Sequence, residues 1–177
     1  MKRLATLLVI AIITTLSSYS QSILGIDVGE SYSSAYKMLR ERFGYKVSEN
    51  SGNLELSKIE MGNFYFDFGT LYFQWSDNAA KFYRATFQTY SPVTEVESMK
   101  QQREVLKDKL ESKYSVEEFI NDQGFKCYEF LGEETNGVTM HGSIELHRGK
   151  GRDNVERLYL MLYYFPIAEF IKENSDF

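Results

Sequence analysis

Between Ser31 and Phe43 the apolar side chains Tyr32, Ala35, Tyr36, Leu39 and Phe43 recur at helical spacing, with Lys37, Arg40, Glu41 and Arg42 between them. That pattern predicts an amphipathic helix, with Ser31 as its N-cap and Gly44 as its C-terminal stop. The period then changes to two. Phe64, Phe66 and Phe68 are expected to share one face of a strand, with Tyr65 and Asp67 on the other. Leu71, Phe73 and Trp75 resume the alternation after Gly69-Thr70, which reads as a tight turn. In Phe82 to Tyr90 the residues Tyr83, Ala85 and Phe87 alternate with Arg84, Thr86 and Gln88, so the three runs predict an antiparallel meander.

A second helix follows. Thr94 and Glu97 stand at capping-box spacing, and Val96, Met99, Arg103, Leu106 and Leu110 mark one stripe. Strands return over Val116 to Ile120, Phe125 to Leu131, Val138 to His147 and Val155 to Tyr164, and a short last helix from Ile167 to Glu173 is expected to bury Phe170 and Ile171. The only two prolines each follow an aromatic strand and precede similar strings, Val93-Thr94-Glu95-Val96 and Ile167-Ala168-Glu169-Phe170. Tyr45-Lys46-Val47 after the first helix also echoes Tyr114-Ser115-Val116 after the second. These echoes predict an α+β fold: an antiparallel sheet packed by helices, in two tandem helix-plus-four-strand repeats with a C-terminal helix. The expected division is 21–92 for the first repeat and 93–177 for the second.

Residues 1–20 read differently. Lys2 and Arg3 precede the apolar run Leu4 to Ile13, and the small residues Ser18 and Ser20 suit signal-peptidase cleavage before Gln21. The run is about half the length that a spanning helix needs, so no stable membrane anchor is expected after cleavage. The chain is therefore expected to be exported, to a periplasm or the extracellular space. Its net charge of −5 becomes more negative once Lys2 and Arg3 are removed, which argues against nucleic acid as a partner. One cysteine, Cys127, and two histidines leave no material for an internal disulfide and little for a metal cage; Cys127 reads as a small packed hydrophobe.

The string Leu24-Gly25-Ile26-Asp27-Val28-Gly29-Glu30-Ser31, followed by Ala35, Leu39 and Phe43 before Gly44, resembles the start of small exported bacterial proteins with the β-lactamase-inhibitor-protein-like fold, which includes outer-membrane assembly lipoproteins of the SmpA/OmlA type. The resemblance implies a glycine-containing turn leading into a helix on an antiparallel sheet, in some members twice in tandem, and a binding role without catalysis. This chain lacks both the cysteine pairs of the inhibitor and the acylated cysteine of the lipoproteins, and no functional residue carries over.

Several candidate sites have plain structural explanations. His141, Ser143, Glu145 and His147 share one strand face, but the histidines lie too far apart along it for one ion; they read as a solvent-facing set, with Glu145 and His147 the only conceivable acid-base pair. Ser34 and Lys37, with Ser76-Asp77-Asn78, match two elements of a serine acyl-enzyme set whose third element is missing, and the match reads as accidental. The basic loop Arg148-Gly149-Lys150-Gly151-Arg152 opens no helix and reads as a hairpin connection able to meet an acidic partner.

The aromatic content is the stronger signal. Tyr and Phe number 13 each, and several strands are apolar on both faces. If helices cover only one face, the other exposes a partner-binding surface, and the candidate contact residues are Tyr65, Tyr72, Trp75, Tyr159, Tyr163, Arg148, Lys150 and Arg152. The sequence thus predicts a noncatalytic protein-binding module without cofactor or metal. The alternative is a carrier holding a small apolar ligand or lipid between sheet and helices.

Overall fold

The computed structural model describes residues 21–172; the leader expected over residues 1–20, and the end of the last expected helix, lie outside the described residues. A small ribbon of β1 (Ser22–Ile23) and β2 (Ile26–Asp27) leads into helix α1 (Tyr32–Phe43). Ser31 caps that helix through its side chain, which accepts a bond from the Ser34 amide, and Gly44 ends it, as the sequence pattern predicts. Four strands follow: β3 (Val47–Asn50), β4 (Asn53–Met61), β5 (Phe64–Ser76) and β6 (Ala79–Pro92). Helix α2 (Val96–Glu111) precedes four more, β7 (Ser115–Ile120), β8 (Lys126–Thr135), β9 (Val138–Lys150) and β10 (Glu156–Tyr164). The two-residue strand β11 (Ile167–Ala168) pairs with the start of β9, and one helical turn, α3 (Glu169–Lys172), closes the described chain.

All strand pairings are antiparallel, in the order β3-β4-β5-β6-β10-β9-β8-β7, so β6 and β10 lie side by side at the centre while β3 and β7 form the edges. The fold is α+β with an antiparallel sheet. Two-residue turns at Ser51-Gly52, Gly62-Asn63, Asp77-Asn78 and Asn136-Gly137 have both residues at positive φ, the geometry that matches strand twist in tight hairpins. The Ser76-Asp77-Asn78 string is accounted for by one of these turns.

Four local expectations are corrected. First, Asn53–Met61 is a full strand that the alternation did not single out. Second, β5 runs unbroken through Gly69-Thr70, which is no turn; a methyl group on Gly69 would come 2.7 Å from the Phe87 ring, so glycine is required for packing. Third, α2 has no capping box: a 3-10 turn over Val93–Glu95 precedes it, and its N-cap residue makes no side-chain bond. Fourth, Ile167 and Ala168 belong to β11 and not to a helix; Phe170 and Ile171 are only half-buried.

Ala35 and Leu39 of α1 and Met99, Leu106 and Leu110 of α2 join one continuous core with Leu54, Phe66, Phe87, Ile144 and Leu160 from the sheet. Both helices therefore cover the same face. Arg103 lies in the predicted stripe and is buried because its donors are used: Nη1 donates to the Lys126 carbonyl at 2.7 Å and Nη2 to Glu104 at 2.6 Å, with the guanidinium 5.7 Å from the Tyr128 ring centre. Tyr128 donates to the other Glu104 oxygen at 2.7 Å.

Burial pushes the Glu104 carboxyl up, but the bonds from Tyr128 and Arg103 outweigh it and hold the group below its ordinary 4.5. A depressed carboxyl adds stability that is present above its unfolded value and is lost as pH falls through the folded one. Glu104→Gln is therefore expected to cost about 1 kcal/mol at neutral pH. It should also flatten the fall in melting temperature below pH 4.5, which thermal unfolding across pH would record.

Candidate functional site

The face opposite the helices is where the alternation places every second strand residue, and no described helix covers it. It forms an open cleft of about 1000 Å³ across β5, β6, β10 and β9. Its floor is built row by row from the strand register. Thr70 pairs with Thr86, which pairs with Tyr163. One step along, Phe68 pairs with Gln88 and Gln88 with Met161. The next row holds Tyr90, Tyr159 and His147.

The rings in this region form a line. Phe68 stacks on Tyr90 at 6.4 Å, Tyr90 meets Tyr159 at 6.3 Å, and Tyr159 stacks on His147 at 5.5 Å. Four aromatic side chains thus cross four strands side by side. The Arg157 guanidinium lies 5.4 Å from the Tyr90 ring centre and is held by Asp153 through two hydrogen bonds. That pairing, its bonds first, holds Asp153 down at about 2.

Phe68 reaches this face through a local fault in the ladder. Ser57 pairs with Phe68 and Ile59 with Phe66, while Lys58 (φ 52°) and Asp67 between them form no ladder pair. The register is the same on both sides, but the buried positions change from even to odd numbers on both strands. Asp67 accepts a bond from the Thr89 hydroxyl at 2.8 Å and another from the Tyr90 amide at 3.3 Å, which anchors the kink. Phe64 and Phe66 stay in the core, whereas Phe68 is 46% exposed. The expectation that all three share a face is thereby corrected.

Of the eight expected contact residues, Tyr72, Tyr159, Tyr163, Lys150 and Arg152 line the cleft. The other three do not line it. Tyr65 is exposed near the start of β5, Trp75 is 71% exposed beside the β5–β6 turn, and Arg148 has its backbone tied on both sides by Gln123. Phe68, Tyr90, Met161 and His147 were absent from the expected set. Tyr90 could have been found by carrying the Arg84-Thr86-Gln88 alternation one step further; Phe68 could not, because nothing in the pattern announces the kink.

The tempting ionisable groups on this face are already engaged. Glu145 accepts from the Ser143 hydroxyl at 2.8 Å and His141 bonds Glu129 at 2.7 Å, while His147 stacks on Tyr159. Burial pushes the His147 imidazole below its usual range, with Glu145 opposing the shift. Burial also pushes the Tyr163 phenol up to about 12, so it is a hydroxyl donor at neutral pH. Cys127 is fully buried, and burial raises its thiol, so it packs as the sequence predicts. Among the described residues no three or more His, Cys, Asp and Glu side chains gather as a metal site, and no helix is long and apolar enough to cross a membrane. No family model, curated protein or solved structure matches this chain.

Proposed function

We propose that the protein is an exported, noncatalytic protein-binding module of the cell envelope or extracellular space, and that residues 21–92 and 93–177 are tandem copies of one helix-plus-four-strand unit. The observation that carries the binding role is the line of four rings on a sheet face that no described helix covers. Tyrosine supplies contact area at low entropic cost and keeps a polar tip, which suits a surface that must be wet when free and dry when occupied. The repeat reading is supported by the mirrored strand order, in which each meander follows its helix and the last strands of the two, β6 and β10, meet at the centre. The resemblance of Leu24–Gly44 to the inhibitor-like exported proteins points the same way, and the leader pattern of residues 1–20 supports export.

The carrier alternative fits less well. Between sheet and helices, where a ligand would sit, the space is filled by Phe66, Phe82, Phe87 and Phe130, each at most 1% exposed. The cleft on the other face is open and floored by Thr70, Thr86 and Gln88, a polar surface for a lipid to meet.

The test is a triple variant, Phe68→Ser with Tyr90→Ser and Tyr159→Ser, compared with wild type in cross-linking on intact cells that express the chain. The wild type is expected to trap a discrete protein, and the triple variant to lose it by at least about 30-fold, the effect of removing aromatic anchors. Equal trapping by both proteins, with the variant still folded by circular dichroism, would refute the role of this face.

A further inference from the structure

Arg84 stands on the cleft face of β6, paired across the sheet with Tyr72. Its guanidinium lies 4.1 Å from the centre of the Tyr72 ring and 5.9 Å from that of Phe165. It makes no ion pair among the described residues. Its Nε is buried without any hydrogen-bond partner, the single buried side-chain polar atom so left among the described residues. An arginine packed between rings with donors unspent is a fixed, partly desolvated fork, and a planar carboxylate is its natural complement.

At the other end of the cleft, Lys150 and Arg152 are exposed and also lack ion pairs, whereas Arg157 is neutralised by Asp153. Arg84 and Pro92, which lies opposite Arg157, are eight residues apart on β6. At strand rise this separates the two cationic ends by roughly 26 Å. The free cations of this face thus stand apart: Lys150 and Arg152 line one end of the cleft, and Arg84 lies just beyond the other, next to the lining residue Tyr72. Of the acids in the lining, Asp153 is paired with Arg157 and Glu55 accepts a bond from Asn50, on a chain whose net charge is negative.

From this arrangement we infer that the occupant of the cleft is an extended, acidic polypeptide segment of a partner protein, with one carboxylate seated on Arg84 and a second about eight residues away near Lys150 and Arg152. This deepens the protein-binding reading and rests on it. The rings and the Thr70, Thr86 and Gln88 floor contact the intervening residues, while the two ends fix register and direction. Charge complementarity selects the partner, because a basic segment would meet cations at both ends.

The experiment is selection of random dodecapeptides displayed on phage against immobilised wild type, Arg84→Gln, Arg84→Lys and a Lys150→Ala/Arg152→Ala double variant, each checked for folding by circular dichroism. Wild type is expected to enrich peptides with Asp or Glu at two positions about eight apart. A synthetic consensus peptide should bind Arg84→Gln at least tenfold more weakly, and Arg84→Lys, which keeps the charge but not the fork, between the two. The double variant should still demand the acid that meets Arg84 and lose preference at the other position. Enrichment of peptides with no fixed acidic position, or equal affinity for wild type and Arg84→Gln, would overturn the acidic-segment inference and leave the binding face standing. No enrichment on any of the four, with dodecanoate binding the wild type instead, would overturn the protein-binding reading itself.

Discussion

Gly142→Ala is expected to destabilise the fold by at least about 3 kcal/mol, the upper range for forcing extra atoms into a packed core. Gly142 sits in β9 between Phe130 of β8 and Tyr164 of β10. A methyl group there would run into the Tyr163 carbonyl oxygen and the edge of the Phe130 ring. Neither can yield cheaply. The carbonyl belongs to a central strand, and the Phe130 ring is locked between Tyr114 at 5.2 Å and Tyr164 at 5.3 Å. Urea unfolding followed by circular dichroism would measure the loss, and a midpoint within error of wild type would show that β9 lies elsewhere than described.

Phe66→Ala should cost about 3–5 kcal/mol, the range for deleting a fully buried aromatic side chain. Phe66 has no exposed surface, packs at 4.7 Å from Phe64 and 5.6 Å from Phe87, and pairs with Ile59, which is equally buried. The informative control is Phe68→Ala. Only two positions along the same strand, it lies beyond the Lys58–Asp67 kink on the cleft face, and its loss should cost less than about 1 kcal/mol. Comparable losses from the two substitutions would place both rings in the core and remove Phe68 from the aromatic line.

The elements legible in the sequence are those whose physical signals are local. The first helix was legible because its cap, stripe and stop all lie within the stretch from Ser31 to Gly44. The stripe on α2 was legible too, down to a buried arginine, since helical period alone assigns the face. What escaped depends on partners distant in sequence. Gly69 looks like a turn until Phe87 is brought against it from the neighbouring strand. Strand β4 carries Asn, Glu, Ser and Lys among its apolar residues, and only pairing with β5 makes Leu54, Leu56 and Ile59 a face. The capping-box spacing at Thr94 lost to a strand that runs on to Pro92, so the helix opens through a 3-10 turn.

The cleft was half legible for the same reason. Strands apolar on both sides left two outcomes open, a tyrosine-rich face left uncovered or both faces buried, and only the placement of both helices on one side decides between them. Which tyrosines gather there depends on the seam between β6 and β10, which brings Tyr90 beside Tyr159. Trp75 and Tyr65 belong to the same strand as Tyr72 but fall outside the cleft, because a strand of thirteen residues is longer than the region its neighbours shape.

The two edges of the sheet bear on selectivity. β7 presents Glu117 to solvent beside Glu118, which is paired with Lys126 at 2.7 Å, and β3 presents Glu49. An unpaired edge is a template on which any extended chain can zip, and like charges placed there raise the cost of that mistake. A segment rich in Asp and Glu would be turned away from both rims by repulsion. The same charges that oppose edge-to-edge fusion of two copies would channel such a visitor onto the flat of the sheet.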